Sequence, residues 1–429
     1  MQKWIAGLAL VAAASACGVS DSGREISDMP WQTAVDSTGD TIQVRITGPV
    51  PDDLVRTLVT ELAVGETDGE EEYTFGRVGA VLEGPGGGLV VYDAHNTSGL
   101  IRIYDGEGKY LRTVGAKGSG PGEYQQLNGL VRLPNGQLVI WDGNNTRLTR
   151  YAADGSFLNS WTLSMGGWFT SNGLHTDASG FVYRWTIIDR GDEANGIPST
   201  SGLIRSDSVG TVLDTLVYPR WSPGVPPFLQ AASPDGRMMT RTSPPFMPGT
   251  AVRVGHRGGL VSGPGNPYVI YLLPPNGKPT RVEREHTPVP VQAIESSERR
   301  AQIERMMKGV NPSWSWTGPG IPSTKPAYTG LEVAEDGRIW VRLSTAGEPI
   351  PEAELPPVPS GVTPPPVRLT TRDPVVYDVF SPEGRLLGRV KFPPRTSFNR
   401  ARGNWVWGLQ RDEDDVERAV RMRVDPAFP

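Results

Sequence analysis

The chain has almost no cysteine and no excess of positive charge. Only one of its 429 residues is a cysteine, so the fold must be held together by burial of apolar surface rather than by disulfides. Lysine and arginine total 42 against 47 aspartates and glutamates, a formal net charge of -5. Because nucleic-acid binding requires a basic surface, this balance excludes that class of function. The 12 tryptophans exclude a chain that is disordered throughout.

Long apolar runs are also missing, and the one near the N terminus is short. It extends from Trp4 to Ala14 after the charged Lys3, whereas a helix that spans a bilayer needs about 20 apolar residues. A charged residue, a short apolar run and then small residues are typical of an export signal. We therefore predict a signal peptide over residues 1–16.

The single cysteine follows this segment directly. Cys17 comes after Ala14-Ser15-Ala16, which resembles the bacterial lipobox, where cleavage leaves an N-terminal cysteine that carries lipid. The same Ala-x-Ala pattern also suits ordinary signal peptidase, but the position of the only cysteine favours lipidation. Residues 17–30 are small and polar, so we expect a lipidated flexible tether before a domain that covers residues 31–429.

Glycine and proline, in contrast, are abundant and accompany an internal repeat. They number 52 and 40, nearly twice their usual share, which indicates many turns between short strands. The stretches 87–115 and 135–161 align, with Tyr104 and Tyr151 separated by 47 residues and Asp93 and Asp142 by 49. Four short strands per period of about 45 residues predict a β-propeller blade.

The repeat continues and predicts six blades. Looser copies cover 172–215, 253–282, 335–390 and 403–424, with Pro234-Asp235-Gly236 as a competing start for the fourth. The sixth copy lacks one strand, and the orphan strand Leu58 to Leu62 is expected to supply it and close the ring. A hairpin over 32–46 would add an extra ribbon before this strand.

Two insertions interrupt the pattern, at about 289–328 and 346–366. The first contains one predicted helix, Gln292 to Lys308, between Pro290 and Gly309. The second holds eight prolines and is typical of an extended, polyproline-like loop. The sequence thus predicts an all-β, six-bladed propeller of four-stranded antiparallel blades, closed by an N-terminal strand, with one inserted helix.

The string over 115–157 carries a family resemblance. Gly118-x-Gly120-Pro121-Gly122-Glu123-Tyr124, Trp141-Asp142 and Asn145-x-Arg147-Leu148 resemble the NHL repeat and related six-bladed propeller lipoproteins of bacteria. The resemblance implies a central channel lined by the innermost strand of each blade. Related propellers include protein- and RNA-binding modules, lactonases and peptide lyases, so it implies no single activity.

Four residues are candidates for a structural or binding role. Asp93 and Asp142 each end a strand beside a polar loop, and we predict structural turns in which the carboxylate accepts backbone N–H groups of that loop, residues 143–146 for Asp142. His175 and Asp177 follow Gly173-Leu174 on the third inner strand and are the polar candidates for the channel or a ligand, with a turn contact as the alternative. The inner strands of the first two blades, 79–82 and 129–131, are apolar or neutral.

No catalytic residue and no metal-ligand set is predicted. The four histidines are far apart, and the chain has no GxSxG, HExxH or CxxC motif. The favoured function is a lipid-anchored extracytoplasmic propeller that binds or scaffolds a protein or glycan partner without a cofactor. The alternatives are a lactonase-like hydrolase or lyase with a divalent cation in the channel, and a structural component of an envelope assembly. Gly18 lacks the aspartate that retains some lipoproteins in the inner membrane, which favours the outer membrane or cell surface.

Overall fold

Short strands separated by glycine turns pair into blades in the computed structural model, which confirms the predicted all-β, six-bladed propeller. The structure describes residues 29–94, 99–162, 173–192, 197–221, 227–355, 357, 361 and 365–429. The predicted signal peptide, Cys17 and the tether up to residue 28 lie outside the described residues. Within the described part of the chain, no helix is both long enough and apolar enough to cross a bilayer.

Blades 1 to 3 each consist of four consecutive antiparallel strands, ordered from the channel outwards. Tyr104 and Tyr151, the aromatic residues that the repeat aligns, are both fully buried on the third strands. The strands are Val78–Glu83, Leu89–Asp93, Ile101–Tyr104 and Tyr110–Val114 in blade 1; Leu127–Arg132, Leu138–Asp142, Arg147–Tyr151 and Phe157–Thr162 in blade 2; and Leu174–Thr176, Val182–Asp189, Thr200–Ser206 and Val212–Val217 in blade 3.

Blades 4 and 5 follow the same order, and blade 6 takes its outer strand from the N-terminal part of the chain. The strands are Ala251–Val254, Leu260–Gly263, Val269–Leu273 and Thr280–Arg284 in blade 4; Tyr328–Val333, Ile339–Leu343, Val376–Phe380 and Leu386–Lys391 in blade 5; and Thr396–Arg402, Trp405–Arg411, Glu417–Asp425 and Val55–Val64 in blade 6.

The strand Val55–Val64, here called the closing strand, joins the two ends of the ring. It pairs antiparallel with Glu417–Asp425 along almost its whole length, which confirms that an N-terminal strand completes the sixth blade. Leu58 and Val64 point into the core and are 6% and 3% exposed. The strand is longer than the predicted one because its first residues also pair, in parallel, with the outer strand of blade 5.

The N-terminal hairpin, Gln32–Asp36 and Ile42–Thr47, lies on blade 4. Its second strand runs parallel to Thr280–Arg284 and extends that blade to six strands. Val44 and Ile46 are buried by this pairing. The hairpin therefore covers the outer edge of blade 4, whereas the closing strand forms the outer strand of blade 6.

The insertions form a small layer on the propeller. The turn Pro234-Asp235-Gly236 belongs to a separate hairpin, Leu229–Ala232 and Met239–Thr242, so it does not start blade 4. The single helix found among the described residues, Ala293–Val310, packs on this hairpin through Met307. The remaining short elements are the strand pairs Ala116–Lys117 with Glu123–Tyr124 and Glu348–Pro349 with Thr371–Arg372, and the 3-10 turns Asp52–Leu54, Pro85–Gly87 and Glu352–Glu354.

The apolar core lies between the blades rather than along the axis. Between blades 1 and 2, for example, Leu82 and Val90 pack in one cluster with Leu130 and Ile140. Side chains that alternate along each strand fill these interfaces, which is how period-two strands build a propeller core. Because the apolar side chains are used between blades, the innermost strands leave polar side chains for the channel.

Candidate functional site

The innermost strands of the blades surround a central channel with two adjoining cavities. The cavities have volumes of about 300 and 620 Å³, within the range of small-molecule sites. Four side chains line both cavities and therefore lie at the waist between them: His175, Arg253, Glu332 and Arg400. Each of these comes from the first strand of blade 3, 4, 5 or 6, so closure of the ring is what brings them together.

Charged side chains dominate this channel. The innermost strands of blades 1 and 2 contain the apolar or neutral stretches noted in the sequence. Each of these strands nevertheless ends in a charged residue, Glu83 or Arg132. Blades 4 to 6 add further charges at and after the ends of their first strands. The charged residues in and around the cavities are Glu83, Arg132, Asp177, Arg253, Glu332, Glu335, Arg400 and Arg402.

Most of these charges are paired. The Arg253 guanidinium donates two hydrogen bonds to the Glu332 carboxylate, from Nη2 at 2.7 Å and from Nε at 3.0 Å. Glu83 is 4% exposed and lies between two arginines: Arg402 donates a hydrogen bond to Oε1, and Nη1 of Arg132 is 3.7 Å from Oε2. The two parallel hydrogen bonds between Arg253 and Glu332 hold both of these side chains in a fixed geometry.

Arg400 is an exception. Its Nη1 donates to the carbonyl oxygen of Asn399 at 3.1 Å, but no carboxylate of the described residues lies within ion-pairing distance of its guanidinium. Burial lowers the pKa of Arg400, while the nearby Glu332 and Glu335 act in the opposite direction. The waist of the channel thus contains a half-buried cation without a contacting counter-ion.

Glu335 is the second exception. Its carboxylate accepts no hydrogen bond and makes no ion pair with any part of the chain that the structure describes, although it lines the smaller cavity. Burial, followed by the negative charge of Glu83, raises the pKa of Glu335. Its backbone N–H donates to the carbonyl oxygen of Ala401 at 2.9 Å, which fixes the end of the blade 5 strand beside Arg400.

The structure places both predicted channel residues, His175 and Asp177, at the smaller cavity. The Asp177 carboxylate is occupied locally, because it accepts the backbone N–H groups of Ser179 at 2.9 Å and Phe181 at 3.1 Å and the hydroxyl of Tyr183 at 2.7 Å. These contacts are those of a turn residue, which is the alternative that the sequence left open for Asp177. His175 is at the waist, beside the charged side chains of the next blades.

Asp142 and Asp93 lie away from both cavities. Asp142 is fully buried and accepts the backbone N–H groups of Gln125 at 2.9 Å and Gln126 at 3.1 Å. The expectation that its donors come from residues 143–146 is largely wrong, since only Asn145 of that loop donates to it. The main donors come from the start of the blade instead.

Asp93 repeats this arrangement 49 residues earlier. It accepts the backbone N–H groups of Arg77 at 3.1 Å and Gly76 at 3.4 Å, which are the repeat equivalents of Gln126 and Gln125. Both aspartates therefore tie the end of a second strand to the start of the blade. Residues 95–98, in the loop after Asp93, lie outside the described residues.

Apart from Asp177, the channel charges were not among the predicted site residues. A signal for some of them exists at the turn between the first and second strands of a blade: Glu83, Arg132 and Arg402 end the first strand, and Glu335 lies in the turn itself. The sequence alone does not show that these positions converge. Among the described residues, no group of three or more His, Cys, Asp or Glu side chains is arranged to hold a metal ion.

The comparisons with known proteins agree with the fold. Residues 67–207 match the model of a family described as a 6-bladed beta-propeller, DUF5128. Together with the observed sheets, this match makes the protein a six-bladed β-propeller. No curated protein matches the chain.

Several solved structures resemble it at low identity. A Bacteroides fragilis protein described as exported is 13% identical over 88% of this chain and 98% of its own, with a TM-score of 0.45. A DUF4221 member from Bacteroides vulgatus is 10% identical over 87% and 99%, with a TM-score of 0.48. A catalytically inactive virginiamycin B lyase from Staphylococcus aureus, with quinupristin, is 11% identical over 92% and 99%, with a TM-score of 0.36. These likenesses carry no argument about activity.

Proposed function

We propose that the protein is a non-catalytic binding module of the bacterial envelope. Lipid on Cys17 holds it at the membrane, outside the cytoplasm, and the propeller presents its channel and the surrounding loops to a protein or glycan partner. Loops held by a rigid scaffold are suited to such a role. The anchor and the location rest on the N-terminal sequence.

The observation that carries the proposal is the unpaired guanidinium of Arg400. Arg400 is half-buried, and a charge that is partly removed from water without a partner costs free energy. A ligand with an anionic group would supply the missing counter-ion. Two of the three channel glutamates, Glu83 and Glu332, are held by arginines, which favours a site that binds over one that uses several carboxylates in chemistry.

Thermal melting of the purified protein tests this proposal. Small anionic probes, acetate and succinate among them, should raise the melting temperature at low ionic strength, because a ligand that binds only the folded state stabilises it. Arg400→Gln should abolish this rise while the variant still melts cooperatively. An equal rise in wild type and variant would contradict the proposal.

Metal analysis addresses the alternative of a channel hydrolase or lyase. The purified protein would be dialysed against calcium, magnesium or zinc and its metal content measured. About one equivalent of bound metal that is lost in Glu335→Gln would favour the alternative over a non-catalytic module.

A further inference from the structure

The smaller cavity contains one cation and one anion that are both unpaired. Arg400 makes only a backbone contact, and Glu335 makes no side-chain hydrogen bond or ion pair with a described residue. The charge of Arg400 acts to lower the pKa of Glu335, and the charge of Glu335 acts to raise the pKa of Arg400, yet the two side chains form no ion pair. In the same channel, Arg253 and Glu332 are joined by two hydrogen bonds, so the fold is able to pair such groups directly.

The backbone holds this arrangement in place. The N–H of Glu335 donates a hydrogen bond to the carbonyl oxygen of Ala401. This bond joins the turn after the first strand of blade 5 to the first strand of blade 6, next to Arg400. Arg400 lies on that strand and Glu335 lies in the turn that the hydrogen bond holds, and such preorganisation lowers the cost of binding. The cavity therefore presents a positive group and a negative group that are not in contact with each other.

Other ligand classes match this cavity less well. A neutral sugar would leave both charges without a counter-ion. A simple anion would satisfy Arg400 but would lie near the carboxylates of Glu332 and Glu335. A metal cation would find only one unpaired carboxylate there, that of Glu335, because Arg253 pairs with Glu332 and Arg402 with Glu83. A ligand with a carboxylate and an ammonium group pairs with both unpaired side chains.

We propose that this cavity binds a small zwitterion, a free amino acid or a short peptide. The ligand carboxylate accepts hydrogen bonds from the Arg400 guanidinium, and the ligand ammonium donates to the Glu335 carboxylate. Charge-assisted hydrogen bonds of this kind are the stronger ones in proteins. The inference rests on the proposed function, because it names the ligand class of the same channel.

Isothermal titration at low ionic strength tests the two ends of the ligand separately. The probes are the proteinogenic amino acids and the dipeptide Ala-Ala, followed by the C-terminal amide and the N-acetyl form of each probe that binds. Blocking either end should weaken binding about tenfold or more, since each removes one charge-assisted contact.

Two variants assign the ends. Arg400→Gln should lose the preference for the free carboxylate over the amide and keep the preference for the free amine. Glu335→Gln should show the reverse. Arg205→Gln is the matched control, because Arg205 pairs with Asp214 on the outer strands of blade 3 and does not line either cavity. It should bind as the wild type does, and circular dichroism should show that all three variants are folded.

The outcomes separate this inference from the proposed function. If acetate and the N-acetyl probes bind as tightly as the free forms, and binding depends on Arg400, the channel is an anion site and the zwitterion inference is wrong. If no free amino acid or dipeptide binds while another anion does, the inference is also wrong and the proposed function stands. If no anionic or zwitterionic probe binds in the channel, both are wrong.

Discussion

At the scale of single residues, two buried aspartates hold the blades together in the same way. Asp142 and Asp93 accept backbone N–H groups from positions 16 and 17 residues earlier, at distances between 2.9 and 3.4 Å. A buried carboxylate in this position joins the second strand of a blade to the segment that leads into its first strand. The recurrence across two blades indicates a structural role that belongs to the repeat.

Replacing either aspartate by alanine should therefore destabilise the protein, and Asp93→Ala should cost more, because Asp93 also lies 3.5 Å from the guanidinium of the buried Arg102. The change leaves buried N–H donors without acceptors, at about 1 to 3 kcal/mol. The asparagine variants should lose less, because the amide oxygen still accepts. Denaturant unfolding with and without added calcium or magnesium is the measurement. A loss confined to one of the two positions, and dependent on metal, would contradict the shared turn role.

Glu335 should show the opposite effect on stability. Its pKa is raised in the folded protein above the ordinary value of 4.5, so the ionised form is disfavoured in the folded state. The destabilisation is absent well below pH 4.5, where both states are protonated, and appears as the pH rises through the raised pKa. Glu335→Gln should thus melt at a higher temperature than wild type at pH 7 to 8.

The same melts across pH provide the check. The difference between Glu335→Gln and wild type should shrink to nothing near pH 4. A difference that stays constant with pH, or a variant that is less stable at pH 8, would show that Glu335 is satisfied in the folded protein. Stability lost to a group that faces a ligand is a common cost of function.

These residues also show what the sequence could reveal. The roles of Asp93 and Asp142 follow from a local repeat, so their positions were predictable. The loop after Asp142 was expected to supply its donors, but the main donors belong to the segment before the first strand of the blade. The pairing of Arg253 with Glu332, which are 79 residues apart, depends on the stacking of blade 4 on blade 5. A contact of that kind has no local signature.

At the scale of elements, the closing strand carries the ring closure. It could be predicted because the sixth repeat ends one strand short and only one upstream strand was without a partner. The place of the N-terminal hairpin could not, because the outer edges of several blades offer the same unpaired backbone to an alternating strand. The register from Ile42 opposite Thr280 to Ile46 opposite Arg284 is set by burial of Val44 and Ile46 against blade 4.

A pair of substitutions on the closing strand tests the closure. Leu58→Asp places a charge at a position that is 6% exposed, whereas Val59→Asp places the same charge at a neighbouring position that is 40% exposed. The first should cost about 3 kcal/mol or more and promote aggregation, because it buries an unpaired carboxylate and loosens the edge of blade 6. The second should be nearly neutral.

Truncations extend the same test. Deleting residues 31–65 removes the closing strand and the hairpin and should cause aggregation, whereas deleting 18–30 should change the melting temperature little. Size-exclusion chromatography and thermal melts report both effects. Equal stability of the two truncations, or of Leu58→Asp and Val59→Asp, would show that the ring is closed by other contacts.

At the scale of the whole molecule, the channel exists only when all six blades are in place. Its charged lining comes from residues between Glu83 and Arg402, so almost the full propeller is needed to assemble the site. This dependence explains why the fold class was accessible from a 45-residue repeat while the site was not. It also means that a truncated propeller should lose ligand binding together with its cooperative unfolding.

The last prediction concerns where this molecule is held in the cell. Lipid attachment requires the thiol of Cys17, the only cysteine of the chain. Cys17→Ala should abolish labelling by radioactive palmitate and leave the protein either unprocessed or soluble, because two or more acyl chains are what hold a lipoprotein on a membrane. Melting of the purified variant should match that of the wild type, since Cys17 precedes the described propeller. Labelling that persists in the variant would show that the lipid is attached elsewhere, and wild-type protein that is unlabelled and soluble would favour cleavage by ordinary signal peptidase.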